Sequence, residues 1–407
     1  MKVFEGKRIV LGVTGSIAVY KIVDLASKLS QSGSLVDVVL TDSAAKLVSP
    51  LTFSSVTGRR AYVDQDLWQI DDHVLHIELG EKNQVFLIAP ATANTIAKLA
   101  HGLADNLLTV SALASRTDPL VAPAMDGGMY SHPATQENLQ ILEKRGIQLL
   151  GPAEGHLASG MSGKGRMLEP EQLLGYLRIF LGSQGILKGK KVVVTAGGTQ
   201  EPIDPVRVLS NISSGKQGYA LAQAALDQGG EVVLISTPVC LDSPVGASIV
   251  DVTTADQMSE AVLKETKDAD LLIMAAAVAD YKPAQESSQK IKKDKGGLSV
   301  INLKTTPDIL GEIARRKNTS GFNLKVVIGF AAETEKLQEN AMAKLENKKL
   351  DLIVANDVSR KDSGFGNDQN QVTLIWKDGR IQELPVMEKT EVSDIIVEEA
   401  AKLFKSA

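Results

Sequence analysis

The sequence predicts the α/β class, as two tandem domains that each carry a mainly parallel sheet flanked by helices. Two observations lead there. Short apolar runs alternate with helical periodicity along the chain, the pattern of strands buried on both faces and covered by helices. The chain also starts twice: Gly6-Lys-Arg-Ile-Val-Leu-Gly-Val-Thr-Gly15 is matched by Gly189-Lys-Lys-Val-Val-Val-Thr-Ala-Gly-Gly198, each a basic pair, a buried strand and a glycine turn into a helix. A length of 407 residues suits two or three domains with cores of their own. The expected boundaries are 1–183 and 190–407, with a linker at 184–189. Both domains read as Rossmann-like.

In the first half the apolar runs fall near 8–13, 35–40, 84–89, 119–122 and 147–150, and helical patterns fill 17–31, 92–100, 105–115 and 134–145. The glycine-rich stretch 151–168 has no regular period and reads as a lid, a binding loop or a disordered segment, with Lys164 and Arg166 suited to an anion. In the second half strands are expected near 191–195, 231–236, 248–252, 270–276, 325–330, 351–355 and 371–376. Helices are expected near 215–228, 255–267, 307–317, 334–347 and 390–404. The polar, lysine-rich 279–297 reads as an excursion from the sheet.

Apolar residues make up 43% and charged residues 23%, and the net charge is −5, so bulk charge favours neither nucleic acid nor an anionic membrane. No apolar run has the length of a membrane span, and no signal-peptide pattern precedes the first strand. The one cysteine, Cys240, excludes an internal disulfide and a cysteine-rich zinc site. Cytoplasmic residence is the expectation. All five histidines lie at or before His156, so imidazole chemistry belongs to the first half and the second must work with lysine, carboxylate, amide and bound metal.

The segment Ile203–Ala220, IDPVRVLSNISSGKQGYA, follows a strand and a glycine turn and runs into a helix. That arrangement forms an anion-binding site, with Arg207, Asn211, Ser213, Ser214 and Lys216 as added donors. It is neither a dinucleotide fingerprint nor a Walker loop. Read blandly, Ser213 or Ser214 is an N-cap. Three strand-end loops mark the first half: Thr14-Gly15-Ser16-Ile17, expected to cap the first helix; Pro90–Thr95; and Pro123–Tyr130. Ligands of open parallel sheets gather at such ends. A solvated charge run is the bland reading of Lys290, Lys292, Lys293 and Lys295.

These strings resemble known families. GVTGSIAVYK (12–21), HIELG (76–80), APATANTIAKLAHGLADNLL (89–108), PAMDGGMY (123–130) and GKGRMLEP (163–170) are similar to the flavin-dependent cysteine decarboxylases. TAGGTQEPIDPVRVLSNISSGKQG (195–218), AAAVADY (275–281), KIKK (290–293), TPDIL (306–310), GFAAET (329–334) and AND (355–357) are similar to phosphopantothenate–cysteine ligase. The fused order resembles the bacterial bifunctional family of coenzyme A biosynthesis, over about residues 5–400.

The resemblance implies FMN against Gly15, Ser16, Ile17, Ser43, Thr92, Ala93, Asn94 and Thr95, with His76 as the catalytic imidazole and Met129 at the substrate, 4′-phosphopantothenoylcysteine. It implies that oxidation of the thiol carbon creates an electron sink through which CO₂ leaves. Two positions depart from the family pattern. Asp126 stands where relatives often have the Asn that grips the substrate carboxylate. Two carboxylates ~4 Å apart repel by roughly 4 kcal/mol at an effective dielectric near 20, which predicts a protonated Asp126. Ser159 stands where many relatives have Cys, which predicts protonation of the intermediate by water or another donor.

For the second domain the resemblance implies ligation of 4′-phosphopantothenate with cysteine, using CTP and Mg²⁺ through an acyl-cytidylate. Asn211 and Lys290 are then catalytic, and Arg207, Ser213, Ser214, Gly215 and Lys216 substrate-binding. Ala275, Ala276, Asp280, Lys290, Pro307, Asp308, Ile309, Leu310, Phe330, Lys344 and Lys348 are nucleotide-binding, and the Mg²⁺ ligands stay unassigned. Relatives form assemblies, so a homo-oligomer is expected. The competing readings are a ligase fused to a non-catalytic or prenyl-transferring flavoprotein domain, and an NAD(P)-binding reductase, which the missing glycine fingerprint disfavours.

Overall fold

The computed structural model describes residues 2–68, 74–156, 160, 162–292, 300–317, 322–333, 335–357 and 367–406. It divides into two compact units, Met1–Leu181 and Gly182–Ala407.

The first unit holds a six-stranded parallel sheet of β1 (Arg8–Val13), β2 (Leu35–Leu40), β3 (Ala61–Val63), β4 (Val85–Ala91), β5 (Leu120–Pro123) and β6 (Gln148–Leu149), in the order β3-β2-β1-β4-β5-β6. Strand order reverses between β1 and β4, the switch point at which such sheets open a crevice. Alternation along β1 shows why the run is uniformly apolar. Ile9, Leu11 and Val13 enter the core on one face, and Val10 the core on the other. The glycine-rich stretch contains an antiparallel hairpin, β7 (Ala153–His156) and β8 (Ser162–Arg166), where the sequence predicts no regular structure. Backbone pairing needs no apolar period, so the sequence hides it. The helices Pro50–Thr57, Leu75–Glu81 and Pro170–Gly182 likewise lie outside the predicted ones.

The second unit is an eight-stranded sheet. In chain order its members are β9 (Lys191–Ala196), β12 (Glu231–Ser236), β13 (Ser248–Asp251), β14 (Leu271–Met274), β17 (Val326–Glu333), β18 (Leu352–Asp357), β20 (Val372–Trp376) and β21 (Ile381–Glu383). The spatial order is β13-β12-β9-β14-β17-β18-β20-β21. It is parallel up to β18 and antiparallel from β18 onward. Small antiparallel pairs decorate it: β10 (Gln200–Asp204) with β11 (Arg207–Ser210), β15 (Tyr281–Pro283) with β16 (Leu303–Thr305), and β19 (Gln369–Asn370) with β22 (Met387–Glu388). Residues 184–189 bring Leu187 into this unit's core.

Carboxylates, buried at Asp37 and Asp351 and half-buried at Asp270, tie the amino ends of the strands together. In the first unit Asp37 accepts from Arg8 Nε at 2.6 Å and Arg59 Nη2 at 2.7 Å. In the second, Asp270 meets Lys190 Nζ at 3.1 Å, and Asp351 takes Lys317 and Lys377 at 2.5 and 2.8 Å and the Val327 N–H at 2.9 Å. Among the described residues no helix is long and apolar enough to cross a membrane.

Candidate functional site

In the first unit the loops after β1, β2 and β4 meet at the carboxyl edge of the sheet. Thr14 Oγ1 donates to the Pro90 carbonyl at 2.6 Å and accepts from Thr92 N at 3.1 Å, so one hydroxyl joins the two sides of the switch point. Gly15 lies against Ser43, and a Cβ at Gly15 would stand 2.4 Å from the serine Cβ. Thr92 caps the helix Ala93–His101, accepting from Thr95 N at 3.4 Å, and Asn94 is exposed on its first turn. Ser16 does not cap the first helix as expected. That helix runs Val19–Gln31 from Ala18 without a side-chain cap, because residues 14–19 close first as a turn (Ser16 N to Thr14 O, 2.8 Å). Ile17 is exposed beside it.

The imidazole of His76 lies on the helix Leu75–Glu81, half-buried, and its Nδ1 is buried with no hydrogen-bond partner among the described residues. Asp126 opens the helix Gly127–Ser131, its Oδ1 accepting from Gly128 N at 2.9 Å. This is a contact in which the carboxylate is the acceptor. Beside it a cavity of about 540 Å³ is lined by Asp126, Gly127, Tyr130, Gln136, Ser162 and Lys164, among others. The β7–β8 hairpin forms one wall, since Gly165 O accepts from Met125 N at 3.0 Å. Lys164 thus faces the Asp126 loop, whereas Arg166 is engaged with Glu169 at 2.6 Å. Met129 is exposed on the short helix, and neither it nor His76 lines this cavity. Ser159 lies outside the described residues.

In the second unit one cavity of about 1080 Å³ gathers most of the expected residues: Asn211, Ser213, Ser214, Gly215, Lys216, Ala275, Ala276, Asp280, Pro307, Asp308, Ile309, Leu310, Phe330, Lys344 and Lys348. It sits at the carboxyl ends of β14, β17 and β18. The helix Lys216–Asp227 begins at Gly215, which is left-handed at φ 75°, and neither serine caps it. Its first N–H groups therefore keep the anion-seeking character of a bare helix start. The Asn211 amide donates to Ala277 O at 3.4 Å and Val278 O at 3.2 Å, which fixes it against the loop after β14. Burial pushes the Lys344 ammonium below its ordinary pKa, against the pull of Glu333 and Asp280, and Lys344 donates to Phe330 O at 2.9 Å. Asp308 accepts from Gly311 N at 3.0 Å as N-cap of the helix Ile309–Arg316 and pairs with Lys348.

Two expected residues lie off the cavity. The Arg207 guanidinium binds buried Asp204 and donates to Ile291 O at 3.1 Å. With the N–H groups of Val206, Ile291 and Arg207 itself, Arg207 holds Asp204 well below the usual carboxylate range. Exposed Lys290 adjoins Ile291, whose N–H Asp204 also binds at 3.2 Å, so this clamp fastens the lysine-bearing segment. Lys293 and Lys295 lie outside the described residues. The cavity also holds Gln217 and Thr306, which fall within the resembling strings but have no role assigned there, Asn370 and Lys389, which no sequence motif singles out, and Asn356, whose buried Oδ1 has no partner among the described residues. Asn356 falls in the AND string. Lys389 stands alone in the sequence, and only the packing of the last helix brings it here.

Among the described residues no group of three or more His, Cys, Asp or Glu could hold a metal ion. Residues 3–181 match the flavoprotein family, and residues 187–404 match the DNA/pantothenate metabolism flavoprotein C-terminal domain. The coenzyme A biosynthesis bifunctional protein CoaBC of Bacillus subtilis (strain 168) is 44% identical over 404 residues, 98% of each chain. A cysteine/cysteine sulfinic acid decarboxylase of an unknown prokaryotic organism is 42% identical over 86% of this chain and 98% of its own. The solved C-terminal domain of a CoaBC protein is 38% identical over 55% of this chain and 100% of that one, with a TM-score of 0.47. With both domains matched in order and a relative aligned almost end to end, the chain belongs to the family of bifunctional enzymes of coenzyme A biosynthesis.

Proposed function

We propose that the second unit joins 4′-phosphopantothenate to cysteine using CTP and Mg²⁺, and that the first unit decarboxylates the product with FMN. The observation that carries this reading is the convergence of Asn211, Ser213–Lys216, Asp280, Pro307–Leu310, Phe330, Lys344 and Lys348 in one cavity of about 1080 Å³.

The ligase chemistry needs positioning and positive charge. A carboxylate oxygen attacks the α-phosphate, the bond to the bridging β-oxygen breaks, and pyrophosphate leaves with the electron pair. The uncapped helix start at Gly215 offers N–H groups to the phosphates. Lys344 and Lys348, a helical step apart, bring two ammonium groups to one wall. Asn211, held by two carbonyls, is placed to steady the acyl-cytidylate. With no carboxylate cluster among the described residues, Mg²⁺ would arrive bound to the triphosphate.

In the first unit the donor set suits FMN. Gly15, where a Cβ would clash with Ser43, lets the loops after β1 and β2 pack directly together, and Ser16, Ser43, Thr92, Asn94 and Thr95 offer hydroxyl and amide groups beside Ala93 at the start of the helix Ala93–His101. When bound, FMN supplies the hydride acceptor for the thiol carbon of the substrate. The half-buried His76 presents an imidazole whose Nδ1 is unengaged among the described residues, suited to hold or move a proton. Lys164 can draw the substrate carboxylate to Asp126. Protonation of Asp126 would turn this acceptor into a donor.

The test uses purified full-length protein. A flavin visible spectrum, CO₂ release from 4′-phosphopantothenoylcysteine in preference to free cysteine, and pyrophosphate release with CTP in preference to ATP are expected. A protein that cannot be loaded with flavin defeats the first half of the proposal. Absence of pyrophosphate with every nucleotide defeats the second.

A further inference from the structure

We infer that Asn356 forms the subsite for the α-amine of cysteine, its amide oxygen accepting an N–H of the nitrogen that attacks the acyl-cytidylate. The inference rests on the ligase reading and gives a place to the one substrate which that reading leaves without a contact.

Asn356 ends an apolar row. Leu352 and Val354 precede it on the same face of β18, and both enter the core that the helices Lys216–Asp227 and Lys389–Ser406 cover. A third apolar residue would continue the row, whereas an amide there is drawn out of water. Its neighbours in register are Ala332 on β17 and Val372 on β20, and neither side chain can bond it. Asn356 Oδ1 is buried and has no partner among the described residues. The other amides lining the cavity are engaged: Asn211 with two carbonyls, Asn370 Nδ2 with Gln217 Oε1 at 3.4 Å, and Gln217 Nε2 with Ser393 Oγ at 2.8 Å. Buried polar atoms are normally satisfied, so an open amide oxygen in a cavity wall calls for a donor from the occupant. Ionised phosphates and carboxylates only accept; an amine donates.

Position selects the donor. β9 and β14 keep one register from Thr195↔Met274 to Gly198↔Ala277, so the chain stays in line with the sheet as far as Ala277. Met274 pairs with Gly329 on β17, so Ala277 and Ala332, each three residues further on, share one height. Ala277 O holds Asn211, and Ala332 adjoins Asn356. The two asparagines therefore sit on strand ends roughly 10 Å apart, two strand spacings. That span fits an acyl carbon held beside Asn211 and an amine beside Asn356, with about 3–3.5 Å between the reacting atoms and a polar contact of about 3 Å on either side. The base is directed elsewhere, since Ile309 and Leu310 at the nucleoside end pack into the core on the other face of the sheet.

Cysteine's α-ammonium yields one proton to solvent before attack. The nitrogen lone pair then forms the bond to the acyl carbon, and the bond from that carbon to the bridging oxygen of CMP breaks. CMP leaves with the electron pair and takes the proton that the new amide nitrogen sheds. The remaining N–H stays on Asn356 Oδ1. A neutral acceptor suits this step, because a carboxylate there would favour the unreactive ammonium.

The full-length protein is followed in two ways: the pyrophosphate burst from CTP and 4′-phosphopantothenate without cysteine, and amide formation once cysteine is added. Asn356→Leu, which completes the apolar row, should raise the KM for cysteine about tenfold or more and leave the burst within about twofold. Asn356→Asp should move the acid limb of the pH–rate profile for amide formation upward, because the added carboxylate holds the ammonium. The other charged side chains of the cavity, Lys216, Asp280, Asp308, Lys344, Lys348 and Lys389, are the same in every protein compared. If Asn356→Leu fails to fold, Asn356→Asp decides alone. A burst lost together with amide formation, a raised KM for CTP or 4′-phosphopantothenate with that for cysteine unmoved, or no change in any of them overturns the subsite. Wild-type protein that gives no burst overturns the ligase reading, and the subsite with it.

Discussion

At Gly15 a single methyl group would stand 2.4 Å from the Ser43 Cβ, on backbone that Thr14 ties to the Pro90 loop. Gly15→Ala should therefore lower flavin content several-fold, read as the visible-to-ultraviolet absorbance ratio, while pyrophosphate release persists. His76→Asn should cut CO₂ release by about 100-fold or more with flavin content retained. Asp126→Asn tests the charge argument. If Asp126 donates to the substrate, the amide should sustain turnover and move the alkaline limb of the pH–rate profile upward. An unchanged profile refutes protonation. Residues carried by contiguous strings, such as Asn211 in SNISSGK, are legible from the amino-acid order alone. Lys389 is not, because its partners Gln217 and Asp368 are distant or featureless in the sequence.

Elements show a different balance. The central strands are legible because each is buried on both faces. The β7–β8 hairpin and the two-residue pair β19–β22 are not, because backbone pairing alone makes them. Asp351 illustrates what joins elements. Burial raises its pKa, but the bonds from Lys317 and Lys377 outweigh that and leave it lowered. A carboxylate depressed on folding stabilises fully above its unfolded pKa of about 3.9 and loses that contribution as pH falls through the lower folded value. Urea midpoints should therefore drop below about pH 4 in the wild type and less steeply in Asp351→Asn. Asp351→Ala at neutral pH should cost about 2–3 kcal/mol, less than a fully buried pair because the Lys377 side chain is 58% exposed.

The whole molecule contains two units with cores on both faces of separate sheets. Calorimetry should resolve two transitions, and added FMN should raise only one of them. A single transition that moves as a whole would contradict this. The duplicated start is visible in the sequence because Gly6–Gly15 and Gly189–Gly198 repeat one pattern. The placing of 184–189 is less so, since composition does not reveal that Leu187 is buried. Carboxylates fasten the amino margin of each sheet, at Asp37 in one and at Asp270 and Asp351 in the other, whereas the candidate chemistry occupies the opposite margin. Substrate preference can accordingly drift by changes to the reactive rim while the fastened rim stays untouched, so a lineage could trade one acid or nucleotide for another without first having to rebuild its framework.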